Sequence, residues 1–500
     1  MKKSSLAIAV VAALAVAYPA ASWVTGKRLE TKLSQLNTNE VLFSKLKIVK
    51  QNYTRGIFTS TQESTIEISY ADMVPGMPAP AHFQEPEATT ADNNADNADN
   101  AAQAMPDMMP VIKPIQIQII NHITHGPIPG IVGIGAGKIE TEFVLDAATV
   151  AEIKKIFGDK KYLELQTVLN YSGGGTVKMS SPAINTVVGT RQDKLNWKGL
   201  NLEFAFDAAY KKLKFDFNAP GMDLVSSDGS TTMNLGAVKM NGDAERAYAD
   251  GILYVGNSKA SISGISFANT QAPNAGFNLK DLILESNTTR KDDLFDSALK
   301  MGIQQIQVNK QDIGNFHYDY SLKNLHGPSF NQLFTALYAM DRKNLTPEKL
   351  EEMQVTFKKH GAEMLKYQPV LSLDRLSLAG KNGEFKASGK LQFVDVKPGD
   401  IDNPMLLLNK LESKADVSLA ETLVQELING TQTDPDARTM MLGMFKASIE
   451  PYEAQGYIAR NGSNLSSQVL WKNGKLTING KAYPATAAGE MPMEPAPEIK

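Results

Sequence analysis

Alternating polar and apolar residues run through most of the middle of the chain, and this pattern predicts β-strands. Between Leu163 and Leu325, runs with a two-residue period are separated by turns rich in Gly, Asn and Asp. Many such runs at fairly regular spacing are typical of an extended antiparallel sheet. Earlier strands are predicted from Lys45 and around Ile115 to Ile119, where isoleucine alternates with glutamine. One face of the sheet is therefore expected to be apolar.

Spacings of three and four residues predict helices elsewhere. Leu29, Leu33 and Leu36 lie on one helical stripe before the first strand, and a short helix is expected between Asp146 as N-cap and Gly158 as stop. Further helices are predicted in the last third of the chain, over 329–343, 346–369, the end of 405–430 and the first half of 434–460. The start of 405–430 fits either a helix or a buried strand.

Two hairpins are predicted among these helices, because Asn-Gly turns interrupt alternating residues within 371–396 and 465–484. The expected fold class is therefore α+β and rich in β-structure. It consists of an N-terminal transmembrane helix, an extended antiparallel sheet, and a helical section in the C-terminal third.

The N-terminus predicts export. Lys2 and Lys3 precede an uncharged run over residues 6–24, which is about the length of a membrane-spanning helix. Trp23 suits the membrane interface and favours an uncleaved single-pass anchor. The small residues Ala20 to Ser22 also fit a cleavage site, so a signal peptide is the alternative. In a Gram-negative bacterium, either reading places the rest of the chain in the periplasm.

Composition shifts divide the chain into six segments. The segment 73–110 is rich in Pro, Ala, Asp and Asn, and we expect a disordered loop insertion because few apolar groups offset its ordering entropy. Its spaced acidic residues lack the glycine and glutamate of an EF-hand. The expected ranges are 1–26 for the anchor or signal, 27–72 for a helix and first strand, 73–110 for the insertion, 111–328 for the strand-rich body, 329–485 for helices and hairpins, and 486–500 for a proline-rich tail.

Charge and cysteine content exclude several classes of function. The net charge is −3, and no concentrated run of Lys or Arg is present, so we expect no nucleic-acid partner. Cysteine is absent, which excludes a thiol nucleophile, a disulfide and a cysteine-ligated metal.

The sequence contains no complete catalytic or cofactor-binding motif. His122 and His125 form an H-x-x-H, but Gly126 and Pro127 follow directly, and residues three apart on a strand point to opposite faces. The glycines near Gly173 and Gly135 lack the phosphate-loop and dinucleotide patterns. No G-x-S-x-G is present. We therefore expect no metal, no cofactor and no enzymatic activity.

The order of four sequence stretches resembles the YdgA-like family of bacterial envelope proteins. These are TGKRLE from Thr25, NYTRGIFTS from Asn52, HGPIPG from His125 and WKNGKLTING from Trp471. The resemblance covers about residues 1–485. It implies an inner-membrane anchor with the bulk of the chain in the periplasm, and it assigns no catalytic residue. The motif residues that match, without a known role, are Tyr53, Arg55, Gly56, Phe58, His125, Gly126 and Pro127.

The layout is also similar to that of AsmA-like envelope proteins, whose β-rich groove is associated with lipid handling, although this likeness is one of architecture only. Our leading hypothesis is a non-enzymatic, membrane-anchored periplasmic protein that binds lipid along an apolar sheet face. The alternatives are a structural or self-associating module, including a homo-oligomer, and an envelope hydrolase with an unrecognised site. The apolar face itself either packs as core or remains an open groove.

Overall fold

The computed structural model describes residues 18–31, 33, 46–68, 115–129, 135–249, 251, 253–272, 275–339, 346–432 and 434–483. The chain forms two compact units, the first comprising residues 1–145 and 338–350 and the second comprising 146–337 and 351–500. The boundary at 145 lies within the segment 111–328. The insertion at 73–110 and the tail at 486–500, both singled out by composition, lie outside the described residues.

Unit 1 combines a helix at residues 18–31, here called the N-terminal helix, with a four-stranded antiparallel meander. Its strands pair in chain order: β1 Leu46–Arg55, β2 Thr59–Ile68, β3 Ile115–His125 and β4 Gly137–Val144. Direct cross-strand neighbours such as Ser64, Ile119 and Phe143 therefore share one face.

The N-terminal helix packs on the meander through one side. Ser22, Thr25 and Leu29 are buried at spacings of three and four residues, whereas Trp23 and Val24 are exposed. Residues 18–24 form the end of the run from which a membrane span is predicted, and residues 6–17 lie outside the described part. No helix within the described ranges is both long enough and apolar enough to cross a bilayer.

Unit 2 is dominated by one branched antiparallel sheet. The long strand β14 (Tyr254–Asn269) pairs along one edge with two strands in succession, β13 (Val238–Arg246) beside residues 254–262 and β12 (Thr231–Leu235) beside residues 265–269. The strands of this sheet are β5 Glu164–Leu169, β6 Gly175–Ser181, β7 Ile184–Val188, β8 Asp193–Trp197, β9 Leu200–Phe206, β10 Lys212–Ala219, β11 Met222–Val225, β12 Thr231–Leu235, β13 Val238–Arg246, β14 Tyr254–Asn269, β15 Phe277–Lys291, β16 Leu294–Val308, β17 Gln311–His326, β18 Val370–Ala379, β19 Glu384–Phe393, β20 Leu411–Ala420, β21 Ala459–Asn461, β22 Asn464–Lys472, β23 Lys475–Ile478 and β24 Lys481–Ala482.

The main branch runs in the order β5, β6, β9, β10, β13, β14, β15, β16, β17, β18, β19, β20, β22, β23 and β24. The side branch continues from β14 through β12, β11, β8 and β7. The prediction of an extended antiparallel sheet is confirmed.

The helices are α1 Ala147–Phe157, α2 Gly327–Ala339, α3 Pro347–Lys366, α4 Pro404–Lys410, α5 Glu421–Thr431 and α6 Pro435–Gln455, with a short 3-10 turn at Pro398–Asp402. Asp146 caps α1 by accepting the Thr149 N–H, and Gly158 ends it with φ of 63°, as expected. Both hairpins with Asn-Gly turns are also present.

The C-terminal third contains the expected helices and hairpins, and the strands of the hairpins, together with one further strand, extend the main branch. The ambiguous stretch from 405 divides into helix α4 and strand β20. The strand is favoured from Leu411 because its alternating residues pair on both sides, with β19 and β22. The physical reason is tertiary, since helical and strand periodicities compete in this stretch until neighbouring strands supply hydrogen bonds.

Candidate functional site

A row of apolar side chains crosses the main branch of unit 2 from strand to strand. Every member is a direct cross-strand partner of the next, so all lie on one face of the sheet. We call these residues the apolar row: Leu165, Met179, Leu202, Phe217, Met240, Ala260, Leu284, Met301, Tyr318, Leu376, Ala387 and Val417. At about 4.8 Å between neighbouring strands, it is about 50 Å long.

The apolar row is open rather than packed as core. None of its side chains is buried, and Met240, Leu284 and Val417 are 40, 39 and 37% exposed. Neighbouring positions extend the same face, for example Ile262, Leu282, Ile303 and Phe316 in a parallel row.

The buried apolar side chains of unit 2 lie mainly toward the ends of the strands. Phe295 and Leu325 are paired at one end of β16 and β17, and Leu333 lies on helix α2. Leu423 and Ile428 lie on helix α5, which contacts β17 and β20. The middle of the apolar face is thus left to solvent or to a ligand. A contiguous row of partly exposed apolar side chains is typical of an interaction site.

The opposite face carries a row of mostly charged side chains. Its members are again direct cross-strand partners: Lys178, Glu203, Asp216, Asn241, Lys259, Glu285, Lys300, Asp319 and Arg375. Lys259 and Glu285 are 2.8 Å apart, and this pairing lowers the pKa of the Glu285 carboxyl. Cross-strand pairs of opposite charge stabilise a sheet and keep this face in water.

A cavity of about 530 Å³ opens on the charged face, where Glu285, Lys300, His317 and Arg375 contribute to its lining. A second cavity of about 550 Å³ lies further along, beside Lys386, Asp416 and Gln468. Several of these charges already have partners within the sheet. Lys386 contacts Glu384 and Asp416 contacts Lys414 at 2.9 Å. The charged face is therefore largely compensated internally.

The motif residues from the family resemblance come together in unit 1, at the end of the meander where β1 turns into β2 and β3 ends. We call this region the corner. The backbone N–H of His125 donates to the Phe58 carbonyl over 2.9 Å, which joins the two motifs directly. Gly56 closes the turn by donating to the Thr59 carbonyl, and a Cβ at Gly56 would lie 2.7 Å from that oxygen. The two motifs are far apart in the sequence, and the pairing of β2 with β3 brings them together.

His125 ties the N-terminal helix to the sheet. Its ring is 1% exposed, with Nδ1 2.9 Å from the Ser22 carbonyl and Nε2 3.0 Å from the Ser60 hydroxyl. A carbonyl only accepts, so Nδ1 carries the proton and Nε2 accepts from Ser60. Burial lowers the pKa of His125 below its ordinary value of 6.5, and the charge of Arg55 acts in the same direction. The ring is therefore held neutral.

Two glycines allow this close packing. The ring of His125 lies directly over Gly26 of the helix, where a Cβ would come within 2.6 Å of the imidazole. Gly126 has φ of 134°, and a Cβ there would collide with the Ser22 hydroxyl. Side chains at either position would push the helix away from the strands.

Arg55 and Tyr53 also lie in the corner, where Arg55 contacts the N-terminal helix and the Tyr53 hydroxyl is buried. The Arg55 guanidinium is 2.8 Å from Glu30 and lies over the Trp23 ring at 5.0 Å from its centroid. It thus joins the strand end to the exposed side of the helix. The Tyr53 hydroxyl is buried, and burial raises the pKa of its phenol.

His122 points away from His125, as expected for residues three apart on a strand. Its ring is largely exposed and lies 3.5 Å from Glu142. Within the described part of the chain, no group of three or more His, Asp or Glu side chains is placed to hold a metal ion.

A second His-Gly-Pro stretch ends β17 in unit 2. His326 is buried, stacks on Tyr367 with ring centroids 4.2 Å apart, and lies 2.8 Å from the Ser329 hydroxyl. Gly327 packs against Phe295 and Tyr248. Ser60 and Ser329, the hydroxyl partners of the two buried histidines, are only 4 and 3% exposed. A nucleophile needs access to substrate, so this geometry favours a packing role for both pairs.

Comparison with known proteins places this chain in a family. A family model described as "Bacterial protein of unknown function (DUF945)" matches residues 1–486, and the chain belongs to this family. It is also similar to Protein YdgA of Escherichia coli (strain K12), with 20% identity over 514 residues that cover 96% of this chain and 95% of the relative. The sequence-based assignment to a YdgA-like family is thereby confirmed. No solved structure matches the chain.

Sequence reasoning identified the motif residues but missed their partners in the N-terminal helix. The partners Ser22, Gly26 and Glu30 lie in or just after the stretch that predicts a membrane anchor, so nothing in the sequence indicates their contacts with β-strands. The apolar row is indicated in the sequence by the alternation of apolar and polar residues in its strands. Register, which sequence does not give, was needed to align these residues into one continuous row.

Proposed function

We propose that this protein is a non-enzymatic, membrane-attached protein of the bacterial envelope, with its bulk in the periplasm, that binds lipid acyl chains along the apolar row. The observation that carries this proposal is the row itself: about 50 Å of partly exposed apolar side chains facing one way, with charges on the other face. An acyl chain is long, narrow and without hydrogen-bonding groups. It can lie across successive strands and cover apolar surface without needing polar partners.

The attachment part of the proposal is supported by the uncharged residues 6–17 that precede the N-terminal helix, and by the two lysines before them. Membership in a family of unknown function leaves the activity open, so the proposal depends on the sheet. Members of the row are at most 40% exposed, so covering one of them contributes only a fraction of the about 1.5–3 kcal/mol for burying a fully exposed side chain, and retention of a lipid requires contacts with several members.

Photocrosslinking in cells tests lipid binding on the full chain. A benzophenone amino acid replaces Leu284 on the apolar face or, as a matched control, its neighbour Ile283 on the charged face. The two side chains are 39 and 38% exposed, so they differ mainly in which face they occupy. We expect lipid adducts, detected by mass spectrometry, at position 284 and few or none at position 283.

Lysine substitutions at the same pair extend the test. L284K should reduce the lipid that co-purifies with the protein several-fold, because a charge on the row would have to be desolvated, whereas I283K should leave it unchanged. Equal lipid loss in both variants would contradict the proposal. Adducts of a second copy of the chain at position 284 would instead favour the self-associating module.

A further inference from the structure

The corner of unit 1 carries exposed apolar side chains where a soluble protein usually places polar turn residues. Ile57 and Phe58 lie in the turn between β1 and β2, Ile128 follows the end of β3, and Trp23 lies on the N-terminal helix. They are 54, 44, 51 and 45% exposed, respectively. We call these four residues, together with Tyr18, the apolar rim.

Direct contacts gather the rim around the start of the helix. The Tyr18 hydroxyl donates to the Ile128 carbonyl over 3.0 Å, and the rings of Tyr18 and Phe58 lie 5.9 Å apart. Arg55, next to the turn, lies over Trp23. The rim therefore belongs to one end of unit 1 and surrounds the point where the chain enters from residue 17.

The connection that follows His125 is apolar in sequence as well. From Gly126 to Gly137 it contains no charged residue. Within its described part, Ile128 is exposed, whereas Gly126, Pro129, Gly135, Ala136 and Gly137 are buried. Ile128 therefore carries the apolar character that this connection presents at the surface.

The chain before Tyr18 indicates which medium covers the rim. Residues 6–17 are twelve uncharged, apolar residues, and a helix of that length rises about 18 Å, compared with about 30 Å for the hydrocarbon core of a bilayer. Crossing the core therefore requires the first turns of the described helix as well. Those turns are docked on the meander, so the rim has to enter the membrane surface with them.

We propose that the corner is a membrane-docking surface, in which the apolar rim sinks into the interfacial layer of a lipid bilayer and holds unit 1 directly against it. This inference rests on the proposed membrane attachment and adds the surface that makes contact. Trp23 lies near the end of the roughly 20 residues that the core requires and takes the interfacial position that aromatic residues favour. Lys27 and Arg28 follow about one turn later, at the level of lipid phosphates.

Site-specific labelling of the full chain tests this docking. Because the sequence has no cysteine, a single cysteine labels one position only. I57C places an environment-sensitive NBD fluorophore on the rim, and V49C provides the control. Val49 is 41% exposed in the same unit and lies about 20 Å along β1 from Arg55. Both proteins are reconstituted into phosphatidylcholine–phosphatidylglycerol vesicles, with and without lipids brominated on the acyl chains.

We expect brominated lipid to quench the label at position 57 at least twofold, and aqueous iodide to leave it largely unquenched. The label at position 49 should be quenched by iodide and unaffected by brominated lipid. A label at position 57 as open to iodide as the control, in protein that floats with the vesicles, would overturn the docking while leaving membrane attachment intact. Protein that fails to float would overturn both.

Protection at position 57 from iodide and from brominated lipid alike would mean that a protein covers the rim, which also contradicts the inference. The label site is exposed, so we expect little effect on folding, and melting curves of labelled and unlabelled chain check this. I128C supplies an independent second position on the rim should I57C not fold.

Discussion

At the scale of single residues, His125 connects three segments that are far apart in the chain. Its backbone binds Phe58, and its two ring nitrogens bind Ser22 and Ser60. Each contact satisfies a buried polar group, so removal of the ring would leave both a carbonyl and a hydroxyl without this partner. The sequence identifies His125 as part of a motif, but only the position of the helix shows that this residue holds the helix on the sheet.

The pKa of His125 leads to a prediction about pH. Its folded-state pKa is lowered, so the unfolded chain binds more protons once the pH falls below about 6.5. The neutral ring therefore contributes stability that is present above pH 6.5 and is lost as the pH falls through the folded-state pKa. We expect the N-terminal helix to detach more readily at pH 5 than at pH 7.5, which hydrogen exchange of residues 18–31 would measure.

H125A should remove this part of the pH dependence and lower the stability of unit 1 by about 2–4 kcal/mol at pH 7.5. His360 also has a pKa lowered by burial, so H360A serves as the control and should leave the exchange of residues 18–31 unchanged. An equal pH dependence in H125A and in the parent protein would show that another group is responsible.

At the scale of secondary-structure elements, the N-terminal helix is held by close approach rather than by a large apolar interface. Ser22, Thr25 and Gly26 on its docked side are small, and Arg55 adds an ion pair at the surface. Such exposed pairs contribute about 0.2–1 kcal/mol. Contact distance at Gly26 is therefore the feature on which docking most depends.

Two helical glycines offer a matched test of this argument. G26A places a methyl group against the His125 ring and should destabilise unit 1 by about 1–3 kcal/mol, despite the better helix propensity of alanine. Gly443 on α6 is exposed, with no atom within 4 Å of an added Cβ. G443A should therefore be neutral or stabilising by up to about 1 kcal/mol. Chemical denaturation of both variants measures the difference, and equal effects would contradict the docking contact.

At the scale of the whole molecule, the chain separates into two compact units with different organisation. Unit 1 buries a partly polar face, in which Gln62, Asn121 and Thr141 form a side-chain hydrogen-bond ladder across three strands. Unit 2 leaves its apolar row open. Unit 1 thus covers a face on which these polar groups lie beside the buried Ile123 and Ile139, whereas unit 2 leaves apolar side chains partly exposed.

This division predicts that damage to unit 1 remains local. In G26A, hydrogen exchange should accelerate in β1, β2 and β3, because they lose the helix that covers them. It should remain unchanged in β15, β16 and β17, which belong to unit 2. Accelerated exchange in both sets of strands would instead indicate that the two units unfold together.

Much of the secondary structure was available from the pattern of residues. Two-residue alternation predicted the strands of unit 2, capping residues located α1, and Asn-Gly pairs fixed two hairpins. The stretch from 405 was not resolved in this way, since its residues fit both periods and cross-strand pairing decided between them. The motif residues were found, but their common location and their partners Ser22 and Gly26 were not.

By itself, the sequence determined the family, the β-rich class of the fold and the amphipathic character of each strand, because these properties depend on residue type and local spacing. Tertiary structure alone decided that twelve separate strands align their apolar residues into one open row, and that a helix at residues 18–31 is clamped on His125. Both features depend on strand register and on contacts between distant segments. Their free energy comes from groups that are neighbours only in the folded chain.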